Sequence, residues 1–161
     1  MNNKINKILA CIDFSEYSLM VLEYAIELAD MAHTQILVYN VINQRDINML
    51  ETVSRYVPNK LHVETYIRDM KKERVKKIRV LLKENFFENK SDMNFKVDVG
   101  IPSEAILKTI ETETIDLVVM ANKGRGNISR FLFGSCAEKV FRHSPVPVVS
   151  VREPKKFKRE K

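Results

Sequence analysis

The stretch DLVVMANKGRGNISRFLFGSCAEKVFRHSPVPVVSV, residues 116–151, joins an apolar run, a glycine-bearing loop, a helical pattern and a second apolar run. It reads as strand, loop, helix, strand, the repeating unit of a parallel α/β sheet. Of the four glycines in the chain, Gly124, Gly126 and Gly134 fall inside this stretch and Gly100 lies just upstream. Glycine costs backbone entropy, so it is kept where φ must be positive or where something approaches the main chain closely. The loop is therefore either an ordinary turn or a place where a ligand meets backbone.

The same alternation extends toward the amino terminus. KILACID (7–13), QILVYNV (35–41), FKVDV (95–99), DLVVMA (116–121) and VPVVSV (146–151) have the length and Val/Ile content of strands. The second and fourth are almost continuously apolar, as strands covered on both faces tend to be. Between them, Leu22, Ala25, Ile26 and Ala29 set a helix over about 17–32, and Ile67, Met70, Val75, Ile78, Leu81 and Leu82 set a basic helix within 60–87. Pro102 suits the first turn of a third helix. Ser135 followed by Glu138 is the capping-box pattern for a fourth, which Pro145 stops. The segment from Asn43 to about Lys60 has weak periodicity and reads as a loop with at most one helical turn. The order β-α-β-α-β-α-β-α-β predicts one α/β domain, a five-stranded parallel sheet with helices on both faces.

Composition narrows the function classes. The 161 residues are 45% hydrophobic and 30% charged, which is enough for one sizeable core. No apolar run reaches the ~18–20 residues that cross a bilayer, and the start resembles no signal peptide, so a cytoplasmic protein is expected. Cys11, Cys136 and three scattered histidines fit no metal-ligand spacing. The net charge of +6 concentrates in Arg68–Lys77 and Arg152–Lys161, each with six basic and two acidic residues. Such patches suit phosphates or headgroups, but there is no aromatic interleaving for base stacking, and a solvated helix face with a basic tail accounts for both. Nucleic acid is not the expected partner.

In an open doubly wound sheet, ligands bind beyond the carboxyl ends of the strands, where the strand order reverses. Asp13, Val41, Met120 and Ala121 all end strands in this reading. The amides of Gly134, Ser135 and Cys136 open a helix, which favours an anion. Gly124 and Gly126 would bring further N–H groups to it, with Lys123 and Arg125 adding positive charge. Asp13 could accept ribose hydroxyls, and Val41 with Met120 could flank a base. Each has a plainer reading: Ser135 and Glu138 as a cap, Asp13 as a turn residue, Val41 and Met120 as core, the cations as solvated. The residues match neither a P-loop nor the dinucleotide fingerprint.

KILACIDFSE, ILVYNVI, VDVGIPSEAIL and DLVVMANKGRGNISRFLFGSCAEKVFRHSPVPVVSV together resemble the universal stress protein family over nearly the whole chain. The resemblance implies a Rossmann-like, adenine-nucleotide α-hydrolase-like fold with strand order 3-2-1-4-5. It implies a domain over 1–152, with a basic tail at 153–161. The family's nucleotide-binding pattern, G-x2-G-x9-G-[ST], falls on Ala121, Gly124, Gly134 and Ser135, with alanine in place of the first glycine. The ligand implied is ATP (or AMP or ADP), with Mg2+ as companion. Its contacts would be Cys11, Asp13, Val41, Met120, Ala121, Lys123, Gly124, Gly134, Ser135, Cys136 and Ala137. Lys123 stands where many members have histidine. A homodimer through the last strand (Val146, Val148, Ser150) is implied as well.

Three functions follow: an ATP-binding regulator of stress response, a slow ATP hydrolase or phosphotransferase, or a dimeric interaction module that has lost nucleotide binding. The first is favoured by the Gly-Ser loop with Asp13, and the third by Ala121. No residue pair presents itself as catalytic. Cys136 at a helix start could be a thiol of lowered pKa that tunes the pocket by redox, or, with Cys11, a small core residue.

Overall fold

A computed structural model describes residues 4–32, 34–54, 63–86, 93–124 and 134–152. The strands are β1 (Lys7–Cys11), β2 (Gln35–Asn43), β3 (Met93–Gly100), β4 (Leu117–Ala121) and β5 (Val148–Val151). The helices are α1 (Ser18–Ala32), α2 (Gln44–Ser54), α3 (Val63–Asn85), α4 (Pro102–Thr112) and α5 (Ser135–His143). All strand pairs are parallel and the sheet runs β3-β2-β1-β4-β5. Fold class and strand order are those the sequence implied.

The two faces of the sheet carry separate cores. Ile8, Ala10, Ile36, Val38, Leu117 and Val119 pack with Val21, Leu22 and Ala25 of α1 and with Ile78 and Leu82 of α3. Leu9, Leu37, Tyr39, Val118 and Met120 pack with Ile106 and Ile110 of α4 and with Ala137 and Val140 of α5. Strict alternation along each strand makes this division. The central strands β1 and β4 contribute side chains to both cores, so their apolar runs are continuous. Burying each large aliphatic here stabilises by about 1.5–3 kcal/mol.

Several boundaries differ from the sequence reading. β1 stops at Cys11, and Ile12 adds one more ladder bond, its amide donating to Tyr39 O at 2.9 Å. β5 begins at Val148 because Pro147 has no N–H; its carbonyl still accepts from Val118 at 3.0 Å. The expected loop after Asn43 is instead an eleven-residue helix, α2, which corrects that reading. Asn43 Oδ1 accepts from the Arg45 amide at 3.1 Å, Asp46 lies in the first turn, and Ile47 is fully buried. Met49 and Val53 are exposed, so the apolar residues do not mark one face and the periodicity is weak. Residues 55–60 lie outside the described set.

α4 opens on Pro102 as expected and closes on Thr114, whose φ of 49° lets the Ile115 amide reach Ile110 O at 2.9 Å. A side chain in that left-handed conformation is costly, and glycine is not. Thr114→Gly is expected to stabilise the fold by about 0.5–1 kcal/mol, raising the thermal midpoint by roughly 1–4 °C. A lower midpoint in calorimetry would contradict the strain reading.

Candidate functional site

The carboxyl ends of β1, β2 and β4 open onto a cavity of about 420 Å3 on the α4–α5 side of the sheet. Its lining brings together Cys11, Asp13, Val41, Met120, Ala121, Lys123, Gly124, Gly134, Cys136 and Ala137. Ser135, the remaining residue of the expected set, is exposed and is not part of the lining. Arg125 and Gly126 lie outside the described residues. Ile12, Tyr39, Asn43, Asp46, Pro102 and Ile106 also line the cavity and were not anticipated. Asn43 and Asp46 reach it from the end of β2 and the first turn of α2, so the missed helix hid them. Tyr39, Val41 and the rest of the alternate positions of β2 point to this face, a signal that period-2 counting could have supplied.

The helix start differs from the capping-box reading in two respects. Gly134 is the N-cap of α5, Ser135 is its first helical residue, and no side chain caps it. Glu138 instead pairs with Arg142 at 2.9 Å, one turn on. The Gly134 amide donates to Asn122 O at 2.8 Å, so it is spent on closing the loop and is withdrawn from the anion site. The amides of Ser135, Cys136 and Ala137 stand in the first turn of α5, at the positive end of the helix dipole.

Gly124 serves close approach and not unusual φ, and no described glycine has positive φ. At Gly124 a Cβ would stand 2.7 Å from Asp13 Oδ2, closer than carbon and oxygen can pack. At Gly134 an added Cβ would meet neighbours only at ordinary contact distances, 3.6 Å or more. Asp13 Oδ1 accepts from the Ser15 amide at 3.0 Å, so Asp13 is both a turn residue and a cavity residue. Ala121 ends β4 in strand conformation and packs against the core on the opposite face from Met120. Its methyl packs on the core of the opposite face, and the residue is also part of the cavity lining.

Burial decides the state of the two thiols. Desolvation, and then the proximity of Cys136, push the Cys11 thiol far above the usual range. Desolvation pushes Cys136 up to about 11, Asp13 adds to this, and Lys139 opposes it. The helix start does not win, which agrees with the reading of both cysteines as small core residues and not with that of a lowered thiol pKa. Burial likewise pushes up the Tyr39 phenol, whose hydroxyl donates to Asp98 Oδ2 at 2.9 Å.

A thiol raised in this way is neutral in the folded protein. The stability it contributes is full below the unfolded thiol pKa and is lost as pH rises toward 11. Thiolate absorbance of a Cys11→Ser variant is expected to titrate near pH 11, with little alkylation of the folded protein at pH 8. A midpoint near 7 would show that the helix dipole dominates.

Residues 4–152 match the family model described as the Universal stress protein family. Universal stress protein MJ0577 of Methanocaldococcus jannaschii is 29% identical over 160 residues, covering 94% of this chain and 98% of that one. The solved structure of MJ0577 superposes with a TM-score of 0.76 at 25% identity, over 93% of this chain and 97% of that one. Two further solved relatives share the fold at lower identity. A universal stress protein in complex with cAMP has a TM-score of 0.60 at 19% identity, over 92% and 97% of the two chains. One from Archaeoglobus fulgidus in complex with dAMP has 0.53 at 16%, over 92% and 98%. Matched from Lys4 to Arg152, with the strand order and the Gly-Ser helix start in place, this chain belongs to the universal stress protein family.

Proposed function

We propose that the chain binds an adenine nucleotide, ATP in the first place, in the cavity at the ends of β1, β2 and β4, and acts as a nucleotide-responsive regulator in stress response. The observation that carries this is the convergence of Asp13, Gly124, Lys123 and the start of α5 on one cavity of about 420 Å3, within the size range of small-molecule sites. Val41 and Met120 supply apolar walls for the base, and the Asp13 carboxylate supplies an acceptor for ribose hydroxyls. Lys123 and the amides of Ser135 and Cys136 supply positive potential for phosphates. That solved relatives are complexes with cAMP and dAMP supports the ligand class. Among the described residues no three His, Cys, Asp or Glu side chains group to hold a metal ion, so Mg2+ would be held through the phosphates.

Isothermal titration is expected to give ATP binding in the micromolar range. Asp13→Ala should weaken it about 10- to 100-fold, the loss of a hydrogen bond to a charged group. No heat with ATP, ADP or AMP at millimolar concentration would overturn the reading.

We also propose a homodimer through β5. This edge strand is four residues long, pairs among the described residues with β4 alone, and leaves Val148 and Ser150 half-buried, while Phe141 on α5 is exposed. Edges of this kind invite pairing. Val148→Lys is expected to shift the protein toward monomer in gel filtration; an unchanged elution volume would count against this interface.

A further inference from the structure

Phe14 has φ 61°, and it and Thr114 are the two described non-glycine residues with positive φ. For a bulky side chain this conformation is costly, and it persists only where the surroundings impose it. Phe14 sits between Asp13, which lines the cavity, and Ser15, whose amide folds back onto Asp13 Oδ1 at 3.0 Å. The left-handed residue is what turns that amide toward the carboxylate. The turn then continues into α1: Ser15 O accepts from the Ser18 amide at 3.0 Å, and Ser15 Oγ from the Tyr17 amide at 3.4 Å. On its other side the Asp13 carboxylate lies against Gly124, with no room for a Cβ between them.

Two contacts hold Phe14. Its ring packs on the core beneath α1 and α3, and the Arg74 guanidinium lies over it, 5.1 Å from the ring centroid. Arg74 belongs to the basic helix α3, but it is half-buried where Lys71, Lys72, Lys76 and Lys77 are exposed. A cation over an aromatic face is attracted by the ring's negative face, and this contact opposes the cost of the left-handed turn.

We propose that Arg74 is a positioning residue for the nucleotide site: by stacking on Phe14 it holds the left-handed turn that aims the Asp13 carboxylate into the cavity. The role in nucleotide affinity rests on the function proposed above. α3 then has a function beyond a solvated basic face, since one of its cations supports the site from the opposite side of the sheet.

The test compares Arg74→Ala and Arg74→Lys with Arg79→Ala. Arg79 is on the same helix and lies over Phe95 at 5.4 Å, so it controls for loss of one charge and one ring contact elsewhere. ATP affinity is read by titration and folding by thermal midpoint. The Ser15 amide is followed without nucleotide by hydrogen exchange in NMR. Arg74→Ala is expected to weaken ATP binding roughly 3- to 10-fold and to speed Ser15 exchange, while Arg74→Lys recovers most of both. Arg79→Ala is expected to keep affinity within about twofold of the parent at a similar midpoint. Unchanged Ser15 exchange in Arg74→Ala overturns the positioning role, whether or not affinity falls. Faster exchange at full ATP affinity overturns it too, as does an equal affinity loss in Arg79→Ala. If the parent protein binds no ATP, the proposed function falls, and Ser15 exchange still decides whether Arg74 holds the turn.

Discussion

The placement of β1 between β2 and β4 is the constraint from which the site follows. Parallel strands joined through helices cross over with one hand, so the direction in which the chain moves along the sheet decides which face each helix covers. From β1 outward to β3 the connections lay α1 and α3 on one face; from β3 back across to β4 and β5 they lay α4 and α5 on the other. At the junction of β1 and β4 the helices that follow the two strands therefore part to opposite faces. The crevice this leaves is the cavity that Asp13, Met120 and the start of α5 share. No single residue makes the crevice; the order of the strands does.

Within the crevice, competing effects of similar kind are decided by magnitude. The dipole at the start of α5 favours a thiolate, worth fractions of a kcal/mol to about 1. Removing a thiolate from water costs more, so Cys136 stays neutral to about pH 11. The same dipole remains available to a ligand that brings its own charge and keeps part of its solvation. The loop glycines follow a similar logic. A Cβ at Gly124 would stand 2.7 Å from the Asp13 carboxylate and force it to shift, whereas Gly134 has room for a methyl and an ordinary φ.

Strand identity and many cavity residues were legible because they depend on apolar runs and on strand ends, which one sequence displays directly; the strand order was implied only by the family resemblance. Val41 and Met120 are examples: each lies near the end of an apolar stretch, ILVYNVI and LVVMA. What the sequence concealed depends on tertiary partners. α2 is held by one buried residue, Ile47, and by the Asn43 side chain, too little to show as a period. Ser135 and Glu138 have the spacing of a capping box, but Gly134 takes the cap position and Arg142 takes the glutamate. The alanine at position 121 looked like a defect in the glycine pattern. Strand alternation turns its methyl toward the other core, while the residue still lines the cavity.

The proposed nucleotide site lies at the ends of β1, β2 and β4, with phosphates at the start of α5. Amide NMR during titration with ATP tests it, because every candidate surface reports at once. Saturable shifts are expected at Asp13, Val41, Gly124, Ser135, Cys136 and Ala137. Shifts confined to the basic face of α3, or rising without saturation, would contradict it and leave the cavity without a nucleotide.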